Sequence, residues 1–518
     1  MAINNKFAEE IGNGYTFEGS SLILGGAMLR DECITNLLVK APLSTFNRHG
    51  MISGATGTGK TKSLQVLSEH LSNNGVPSLV MDIKGDLSGL AKANAGHKKI
   101  DERQNAIGLS YDPHGFPVEL LTLSGTTGIK LRATLSEFGP ILFSRILELN
   151  DTQSSIVTVV FKFCDDNNLP LIDLEDFRKT LLWMSGEGKH ELQIQYGRIH
   201  GASVGAIIRK LITLEQQGAN IFFGEPSFEV DDLCRLDSNG NGYISILRLM
   251  DLMDRPQLFS TFMLQMLAEI YSSFPEEGDL DKPKLVLFID EAHLIFQDAS
   301  KELLRQIETT VKLIRSKGIG VFFVTQNPND IPESVLSQLG MKVQHALRAF
   351  TASDREDIQK ASKNFPISAY YDISEVLTRL GIGEALVTVL NEDGRPTPLV
   401  RTMMRAPESR MDILSNDELM DVERSSDLFA KYDQIIDRES AYEILSEKMA
   451  EAKEERLEQV PRKTSKRYKK PTQTYFEKTL EDAGKQITRE VSRGIVRGIL
   501  GVLGLGNKRS SKSKGWFF

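Results

Sequence analysis

One eight-residue stretch constrains the fold of this chain more than any other. Residues Gly54-Ala55-Thr56-Gly57-Thr58-Gly59-Lys60-Thr61 match the phosphate-binding loop pattern G-x-x-x-x-G-K-S/T at every fixed position. The glycines let backbone N–H groups curl round a triphosphate, while Lys60 can reach its β- and γ-phosphates and the Thr61 hydroxyl can ligate Mg²⁺. These eight residues, continued by Lys62, therefore predict a site for ATP and Mg²⁺.

The flanking sequence has the order that such a loop needs. The apolar pair Met51-Ile52 precedes the loop, and apolar residues follow it at helical spacing, namely Leu64, Val66, Leu67 and Leu71. Strand, loop and helix predict a βαβ unit in which the helix points its positive end at the phosphates. The alternative, a glycine-rich turn between unrelated elements, is disfavoured by the complete match and its flanks.

A second motif lies more than two hundred residues downstream. The apolar run 285–289 ends in Asp290-Glu291, followed by His293. A continuous apolar run predicts a strand buried on both faces that delivers its carboxylates to the carboxyl edge of a parallel sheet. Asp290 can hold the magnesium hydration shell and Glu291 can polarise an attacking water. His293 has the weaker functional signal, since a lone histidine here is more often a packing residue.

The next buried run, 320–324, ends in a polar segment that contains Gln326. An amide at this edge can touch the γ-phosphate or its water, so Gln326 is a candidate sensor. Arg315 ends the preceding helix and could neutralise transition-state charge on a neighbouring subunit's nucleotide. Stabilisation of the helix C-terminus is an equally simple explanation of Arg315.

Two acidic segments have more than one interpretation. Asp82 closes the apolar run 77–83 and could bind a metal-bound water or simply cap a strand-to-loop transition. Residues 237–242 resemble the start of a calcium-binding loop, but the position that needs a bidentate Glu is Arg248. We expect no calcium there, and the alternating run 243–247 predicts a turn into a strand.

Taken together, these motifs resemble the HerA/FtsK superfamily of ring-forming motor ATPases. The similarity rests on residues 54–61, 290–293 and 325–332, and with residues 82–86 and 149–154 it extends to the YjgR-like branch of the HerA-like proteins. It spans roughly residues 20 to 405. The resemblance implies a RecA-like core and a hexameric ring with nucleotide at subunit interfaces, and the HerA and FtsK relatives move duplex DNA. It also implies Arg315 as a trans-acting arginine and Arg48 as a second nucleotide-linked arginine.

The charge of the chain is unevenly distributed. Residues 461–518 contain 15 Lys/Arg and 4 Asp/Glu, a net charge of +11, and since the whole chain carries −8, residues 1–460 carry −19. An acidic body argues against wholesale coating by nucleic acid but leaves room for a local basic stripe. In the tail, an apolar face over 487–503 beside regularly spaced arginines predicts a basic amphipathic helix. Such a helix could pack against a protein partner, lie on an anionic membrane surface or contact DNA, and packing against a partner is preferred over membrane binding.

The remaining composition favours a cytoplasmic protein. Three widely spaced cysteines, Cys33, Cys164 and Cys234, have no metal-ligand spacing and indicate a reducing compartment. Residues 1–10 lack a signal-peptide core, and no apolar run approaches the ~18 residues of a membrane span.

We predict an α/β fold with a RecA-like P-loop NTPase core and a mostly parallel sheet. The core, 46–128 and 221–405, follows a small β-rich segment, 1–45, and is interrupted by a helical insertion, 129–220. A charged helical segment, 406–460, and the basic tail, 461–518, complete the chain. The expected function is an ATP-driven motor on duplex DNA. A nucleotide-gated assembly ATPase that acts on a protein partner is the alternative.

Overall fold

The computed structural model describes residues 2–123, 126–250, 256–278, 280–296, 301–434, 436 and 438–458. The strands are β1 (Ser21–Leu29), β2 (Glu32–Pro42), β3 (Gly50–Ser53), β4 (Ser78–Asp82), β5 (Val118–Thr122), β6 (Ile129–Lys130), β7 (Ile244–Arg248), β8 (Leu285–Ile289), β9 (Ile319–Thr325), β10 (Met341–Gln344), β11 (Glu384–Thr388) and β12 (Val400–Met404). The helices are α1 (Ala2–Gly14), α2 (Lys60–Asn73), α3 (Lys98–Ile107), α4 (Leu135–Ile146), α5 (Asp151–Asp166), α6 (Leu174–Ser185), α7 (Lys189–Tyr196), α8 (Gly201–Gln216), α9 (Pro256–Ser273), α10 (His293–Phe296), α11 (Lys301–Ile314), α12 (Glu333–Leu336), α13 (Ala352–Ser362), α14 (Ile373–Arg379), α15 (Asn416–Ser425), α16 (Asp427–Tyr432) and α17 (Ala441–Glu458).

The strands form one twelve-stranded sheet in the order β2-β1-β12-β11-β10-β3-β9-β8-β4-β7-β5-β6. From β10 to β6 every neighbouring pair is parallel, whereas β2, β1, β12 and β11 join as antiparallel strands. Parallel strands place their carboxyl ends at one edge, where α/β sheets bind ligands. This sheet confirms the predicted RecA-like α/β core.

The central strands are apolar because both of their faces are covered. Every residue of β8 and β9 is buried, and Phe288 of β8 packs on Phe322 of β9 with ring centroids 5.3 Å apart. Such continuous apolar runs are typical of parallel strands inside an α/β layer structure. The core therefore fixes the positions at which β8 and β9 end.

Residue contacts group the chain into two compact units. The first contains the residues up to Leu131, Phe228–Met263 and Ser273–Gln434, and it includes the sheet. The second contains Arg132–Ser227, Leu264–Ser272 and the described residues after 435, and it is helical. Its core has an aromatic cluster of Phe138, Phe143, Phe161 and Phe177, all fully buried. The finer division into six segments stays a prediction.

At the N-terminus the structure differs from the sequence expectation. Within the predicted β-rich segment, 1–45, residues Ala2–Gly14 form a helix, and the strands begin only at Ser21. The helix is explained by Phe7 and Ile11, whose spacing of four places both side chains on one buried face. Gly14 meets Pro398 closely, so a Cβ there would lie 2.6 Å from the proline Cδ. Pro398 therefore leaves no room for a side chain, which explains why residue 14 is glycine although it belongs to a helix and not to a turn.

The segment 237–242 leads into β7, as its sequence predicts. One oxygen of the Asp237 carboxylate accepts the backbone N–H groups of Asn239 and Asn241, each at 2.8 Å, so it shapes its own loop. The predicted basic amphipathic helix of the tail lies outside the described residues. Within the described part of the chain, no helix is long and apolar enough to cross a membrane.

Candidate active site

The phosphate-binding loop connects β3 to α2 at the carboxyl edge of the sheet. Its start is fixed to two neighbouring strand ends, because the Gly54 N–H donates to the Thr325 carbonyl at 3.3 Å and the Ala55 N–H to the Ala346 carbonyl at 2.8 Å. Gly54 and Gly57 adopt φ of +151° and +75°, which side-chain-bearing residues rarely adopt. The tip, Thr56 and Gly57, is exposed. The loop thus has the open backbone curve that a phosphate cradle needs.

The charged and polar residues that begin α2 have distinct neighbours. Lys60 is buried, and its Nζ donates to the Gly54 carbonyl at 2.7 Å and the Ala55 carbonyl at 3.2 Å. Burial lowers its pKa, and so does the charge of a second lysine, Lys84. The Thr61 hydroxyl donates to Asp86 at 3.4 Å. The two residues named in the loop signature therefore face the predicted site.

Lys62 faces away from the loop. Its ammonium group donates to the Gln65 side chain at 2.9 Å and to the Met411 carbonyl. Any contact between Lys62 and a nucleotide is therefore expected from its backbone N–H. The buried Thr58 hydroxyl donates to the Ala55 carbonyl at 2.7 Å and so stabilises the loop conformation. Gly59, which is half-buried, directly precedes α2.

The acidic pair Asp290-Glu291 arrives at the same edge. Strand β8 lies between β4 and β9 in parallel register, with Ile289 opposite Met81 and Phe323. Both carboxylate residues are 4% exposed. Burial raises the pKa of Asp290 to about 7, with Lys84 opposing this shift. A divalent cation beside Asp290 would favour its ionised form.

Glu291 combines an unusual backbone with a charged environment. Its φ of +48° lies in the left-handed region, which costs a non-glycine residue on the order of 1 kcal/mol and is concentrated at functional sites. Its Oε1 forms an ion pair with the Lys84 ammonium group, and its Oε2 lies 3.1 Å from His293 Nδ1. Burial opposes ionisation, but the contacts with His293 and Lys84 outweigh it and lower the pKa of Glu291 to about 2.

Gln326 follows the end of β9 and reaches the same carboxylate. Its exposed side chain donates from Nε2 to Glu291 Oε2 at 3.4 Å. A cleft of about 530 Å³ opens at this position, and its lining consists of His293, Phe296, Gln326, Asn329, Asp330 and Pro332. The structure thus brings Gln326 to Glu291, and it gives His293 a charged partner that the sequence signal did not indicate.

Asp82 acts as the cap of a strand-to-loop transition. One of its carboxylate oxygens accepts the N–H of Gly85 at 2.7 Å and of Asp86 at 3.3 Å, and the other accepts the N–H of Leu87 at 3.1 Å. Burial, followed by the charge of Asp86, raises its pKa to about 6. Of the two sequence interpretations, this geometry favours the cap. The capped turn presents Lys84 to Glu291 and Asp86 to Thr61.

The two candidate arginines lie at the opposite edge of the sheet. Arg48 lies two residues before β3, with its guanidinium against Gly394, and exposed Arg315 begins the short turn Arg315–Lys317 ahead of β9. Strand β3 alone spans about 13 Å at ~3.3 Å per residue. The structure therefore does not bring either arginine to the phosphate loop of its own chain, and their predicted roles require a neighbouring copy.

Next to Arg48 in the chain is a buried histidine, His49, that no sequence pattern selects. His49 Nε2 donates to the Val311 carbonyl at 2.7 Å, and its Nδ1 accepts the Val321 N–H at 3.0 Å. Burial lowers the pKa of His49 to about 4, with Arg315 adding to the decrease. His49 therefore joins the start of β3 to β9 and to α11, the helix that precedes Arg315.

Another buried histidine supports the phosphate loop from the side of β10. His345 Nδ1 lies 2.8 Å from the Glu384 carbonyl and its Nε2 lies 2.9 Å from the Ser63 hydroxyl in the first turn of α2. No local pattern marks His345 as a site residue, and the segment 82–86, which contains Lys84, contributed to the family resemblance without giving Lys84 a role. Both reach the site through strand neighbours that are distant in sequence.

Asp86 and Thr61 provide a test of whether this site suits Mg²⁺. The second oxygen of the Asp86 carboxylate is buried and has no hydrogen-bond partner among the described residues. Within that part of the chain, no three Asp, Glu, His or Cys side chains form a metal cage. Mg²⁺ is usually held by one or two protein oxygens plus phosphates and water. The Thr61 hydroxyl and the nearby carboxylates therefore fit a nucleotide-bound Mg²⁺.

Comparison with characterised sequences gives distant but extensive matches. The "DNA double-strand break repair helicase HerA" of Sulfolobus acidocaldarius is 22% identical over 362 residues, which is 68% of this chain and 64% of that protein. The protein of the same name from Saccharolobus solfataricus is 22% identical over 354 residues, again 68% of this chain and 64% of the relative. The chain thus spans slightly less than two thirds of these relatives.

Two solved structures match over most of the chain at low identity. The bacterial conjugative coupling protein TrwB, without its N-terminal segment, has a TM-score of 0.48 and 15% identity, covering 79% of this chain and 94% of that one. VirB4 of Thermoanaerobacter pseudethanolicus has a TM-score of 0.47 and 15% identity, covering 75% and 97%.

The sheet, the loop after β3 and the carboxylates after β8 together define a P-loop protein with a RecA-like core. Residues 30–510 match the family model described as Helicase HerA-like C-terminal. The chain belongs to this HerA-like family. The match also extends beyond residue 405, where the sequence resemblance was expected to end.

Proposed function

We propose that this protein is a Mg²⁺-dependent ATPase that works as a ring-forming motor on duplex DNA. The observation that supports the ATPase most strongly is the meeting of Glu291 and Gln326 at the sheet edge that carries the complete phosphate loop. A loop alone accounts for binding of a triphosphate. Hydrolysis additionally needs a group that orients water, and a buried, ionised Glu291 supplies it.

Each residue then has a defined task. Backbone N–H groups of 54–61 hold the phosphates, and Lys60 provides a cation for the β- and γ-phosphates. Thr61 and Asp290 would hold Mg²⁺, which neutralises charge on the transferring phosphoryl group when bound. Glu291 polarises the attacking water. Gln326 contacts Glu291 and, from the same edge, can touch the γ-phosphate or its water, so it is the proposed sensor of the γ-phosphate. Catalysis by positioning and charge neutralisation is typical of phosphoryl transfer.

We propose a ring because the two candidate arginines and the phosphate loop lie at opposite edges of the sheet. The number of six subunits is proposed by analogy with the family. Arg315 and Arg48 lie at the edge opposite the phosphate loop, so a head-to-tail neighbour is needed to bring either of them to a nucleotide. DNA as substrate is proposed from the relatives, whose names describe DNA double-strand break repair helicases. The acidic charge of residues 1–460 requires that any DNA contact be local.

The test is phosphate release by purified full-length protein with ATP and Mg²⁺, with and without linear duplex DNA, on material whose mass in solution is known. We expect duplex DNA to stimulate turnover, and the stimulation to fall steeply between about 50 and about 200 mM salt. Lys60→Ala should abolish turnover. Lys162→Ala is the matched control, since Lys162 is an exposed lysine paired with Asp166 on α5.

Two results would contradict parts of the proposal. Full turnover in Lys60→Ala would exclude the phosphate loop as the site of hydrolysis. A second result concerns DNA. If Lys60→Ala abolishes turnover, but the wild-type protein neither binds duplex DNA nor is stimulated by it, a nucleotide-gated assembly ATPase that acts on a protein partner is favoured.

A further inference from the structure

Lys84 holds a position in this site that the phosphate-loop and carboxylate motifs do not account for. It lies two residues beyond the end of β4, and β4 pairs with β8 so that Met81 is opposite Ile289. This register brings the residues after β4 alongside Asp290 and Glu291. The Asp82 cap holds the intervening turn through its three backbone hydrogen bonds.

Among the residues that the structure describes, the Lys84 side chain has one direct charged partner. Its ammonium group forms an ion pair with Glu291 Oε1, and the two side chains are 34% and 6% exposed. The other lysine of the site, Lys60, donates instead to two carbonyls of the phosphate loop. The two lysines therefore have separate contacts, one to the loop and one to the carboxylate.

The Glu291 carboxylate is consequently held from both sides. Lys84 contacts Oε1, whereas His293 and Gln326 lie on Oε2 at 3.1 Å and 3.4 Å. A carboxylate with partners on one oxygen only can rotate about its last side-chain bond. Contacts on both oxygens fix the direction in which its free lone pairs point.

We propose that Lys84 is a positioning residue for hydrolysis, which orients Glu291 toward the attacking water through the ion pair at Oε1. This inference rests on the proposed function, because it assigns Lys84 a role in the reaction that Glu291 supports. Lys84 acts through Glu291 and makes no contribution to holding the nucleotide.

The proposal predicts which kinetic constant changes. Removing Lys84 leaves the phosphate loop and its hydrogen bonds intact, so the affinity for nucleotide should stay the same. Without its partner on Oε1, the carboxylate loses its fixed orientation, and a misplacement of ~1 Å costs roughly 100-fold in rate. We therefore expect the loss in kcat and not in KM.

The experiment compares Lys84→Met and Lys84→Arg with wild type, using full-length protein and ATP turnover. Lys84→Met should lower kcat by about 10- to 100-fold, with the KM for ATP and the Kd of a fluorescent ATP analogue changed less than about threefold. Lys84→Arg keeps a cation for the carboxylate and should recover most of kcat. Lys162→Met, which removes the surface ion pair with Asp166, is the matched control for loss of a lysine. Thermal unfolding midpoints of all variants establish that each protein is folded.

A double-mutant cycle with Glu291→Gln tests whether Lys84 acts through Glu291. In the Glu291→Gln background, Lys84→Met should cause no further loss of the residual turnover. Three results would overturn the inference: an unchanged kcat in Lys84→Met, a Kd that rises in parallel with the loss of kcat, or a further loss in the double variant.

Failure of the underlying function gives a different pattern. If wild type does not hydrolyse ATP, or if Glu291→Gln keeps full turnover, the proposed function itself is wrong. If Glu291→Gln abolishes turnover while Lys84→Met leaves kcat unchanged, only the assignment of Lys84 is wrong.

Discussion

Two of the three loop glycines with positive φ, Gly54 and Gly57, provide a test of the phosphate cradle, because they differ in the space around them. A Cβ at Gly54 would lie 2.5 Å from His345 Cβ and 3.0 Å from Thr58 Oγ1, whereas a Cβ at Gly57 would meet nothing within 4 Å. His345 cannot move aside easily, since both of its ring nitrogens have polar partners. Gly54→Ala must therefore displace the loop, and Gly57→Ala only strains it.

The expected magnitudes follow from these distances. Non-bonded carbons rest about 3.5 to 4.0 Å apart, so Gly54→Ala requires a shift of about 1 Å in the loop or its neighbour. A displacement of that size breaks hydrogen bonds to charged phosphates, each worth about 1.5–3 kcal/mol, so the loss of two costs roughly 100-fold or more in affinity. Gly57→Ala carries only the left-handed backbone penalty of about 1–2 kcal/mol, which limits its effect on affinity to roughly tenfold.

The assay is titration of each folded variant with a fluorescent ATP analogue in the presence of Mg²⁺. Gly54→Ala should weaken binding at least about tenfold more than Gly57→Ala does. Thermal unfolding midpoints serve as the control for folding. Equal affinities for the two variants, or wild-type affinity in Gly54→Ala, would refute the described loop geometry.

Two further predictions concern stability. Glu69 is 2% exposed and accepts the N–H groups of Glu408 and Ser409, each at 3.0 Å. Glu69→Gln places an amide N–H₂ group against one of these donors. We therefore expect it to lower the free energy of unfolding, measured with urea, by about 1–3 kcal/mol. Glu102→Gln, in an exposed pair, should cost below about 1 kcal/mol, and equal costs would contradict the buried network. The pKa of His49 is about 4 in the folded chain and ~6.5 in the unfolded chain. Below pH 6.5 the unfolded chain therefore binds a proton that the folded chain does not bind. Because of this difference, the free energy of unfolding falls as the pH decreases. The destabilisation by His49→Gln should therefore shrink by about 1.4 kcal/mol between pH 7.5 and 5.5, and an unchanged difference would contradict a neutral buried His49.

The sequence was sufficient to predict which strand ends meet at the candidate site. The phosphate loop, Asp290-Glu291 and Gln326 each come directly after a buried apolar run, and parallel strands bring such ends to one edge. Sequence patterns report what precedes and follows a residue. They therefore identify strand ends well, even when the strands are far apart in the chain.

Lys84 and His345 could not be selected in this way, because their partners are set by strand order. Lys84 meets Glu291 only because β4 lies beside β8, and His345 meets α2 only because β10 lies beside β3. The local sequence of a turn does not show which strand lies next to it in the sheet. Asp82 illustrates the same limit, since only the structure shows its carboxylate committed to three N–H groups.

The helix α1 was missed for a different reason. Its two glycines, Gly12 and Gly14, are residues that favour turns, whereas Phe7 and Ile11 have the spacing of a helix face. Burial of those side chains against the sheet shows that tertiary packing decided the outcome. Arg48 and Arg315 remain predictions, because their proposed partner is a second copy of the chain.

Single-turnover phosphate release by Glu291→Gln tests the central claim most directly. The variant keeps the phosphate loop, so it should bind the fluorescent ATP analogue with wild-type affinity while phosphate release falls by at least about 100-fold. That result would assign the water-orienting role to Glu291. Phosphate release at the wild-type rate, with nucleotide bound, would contradict this account of the site.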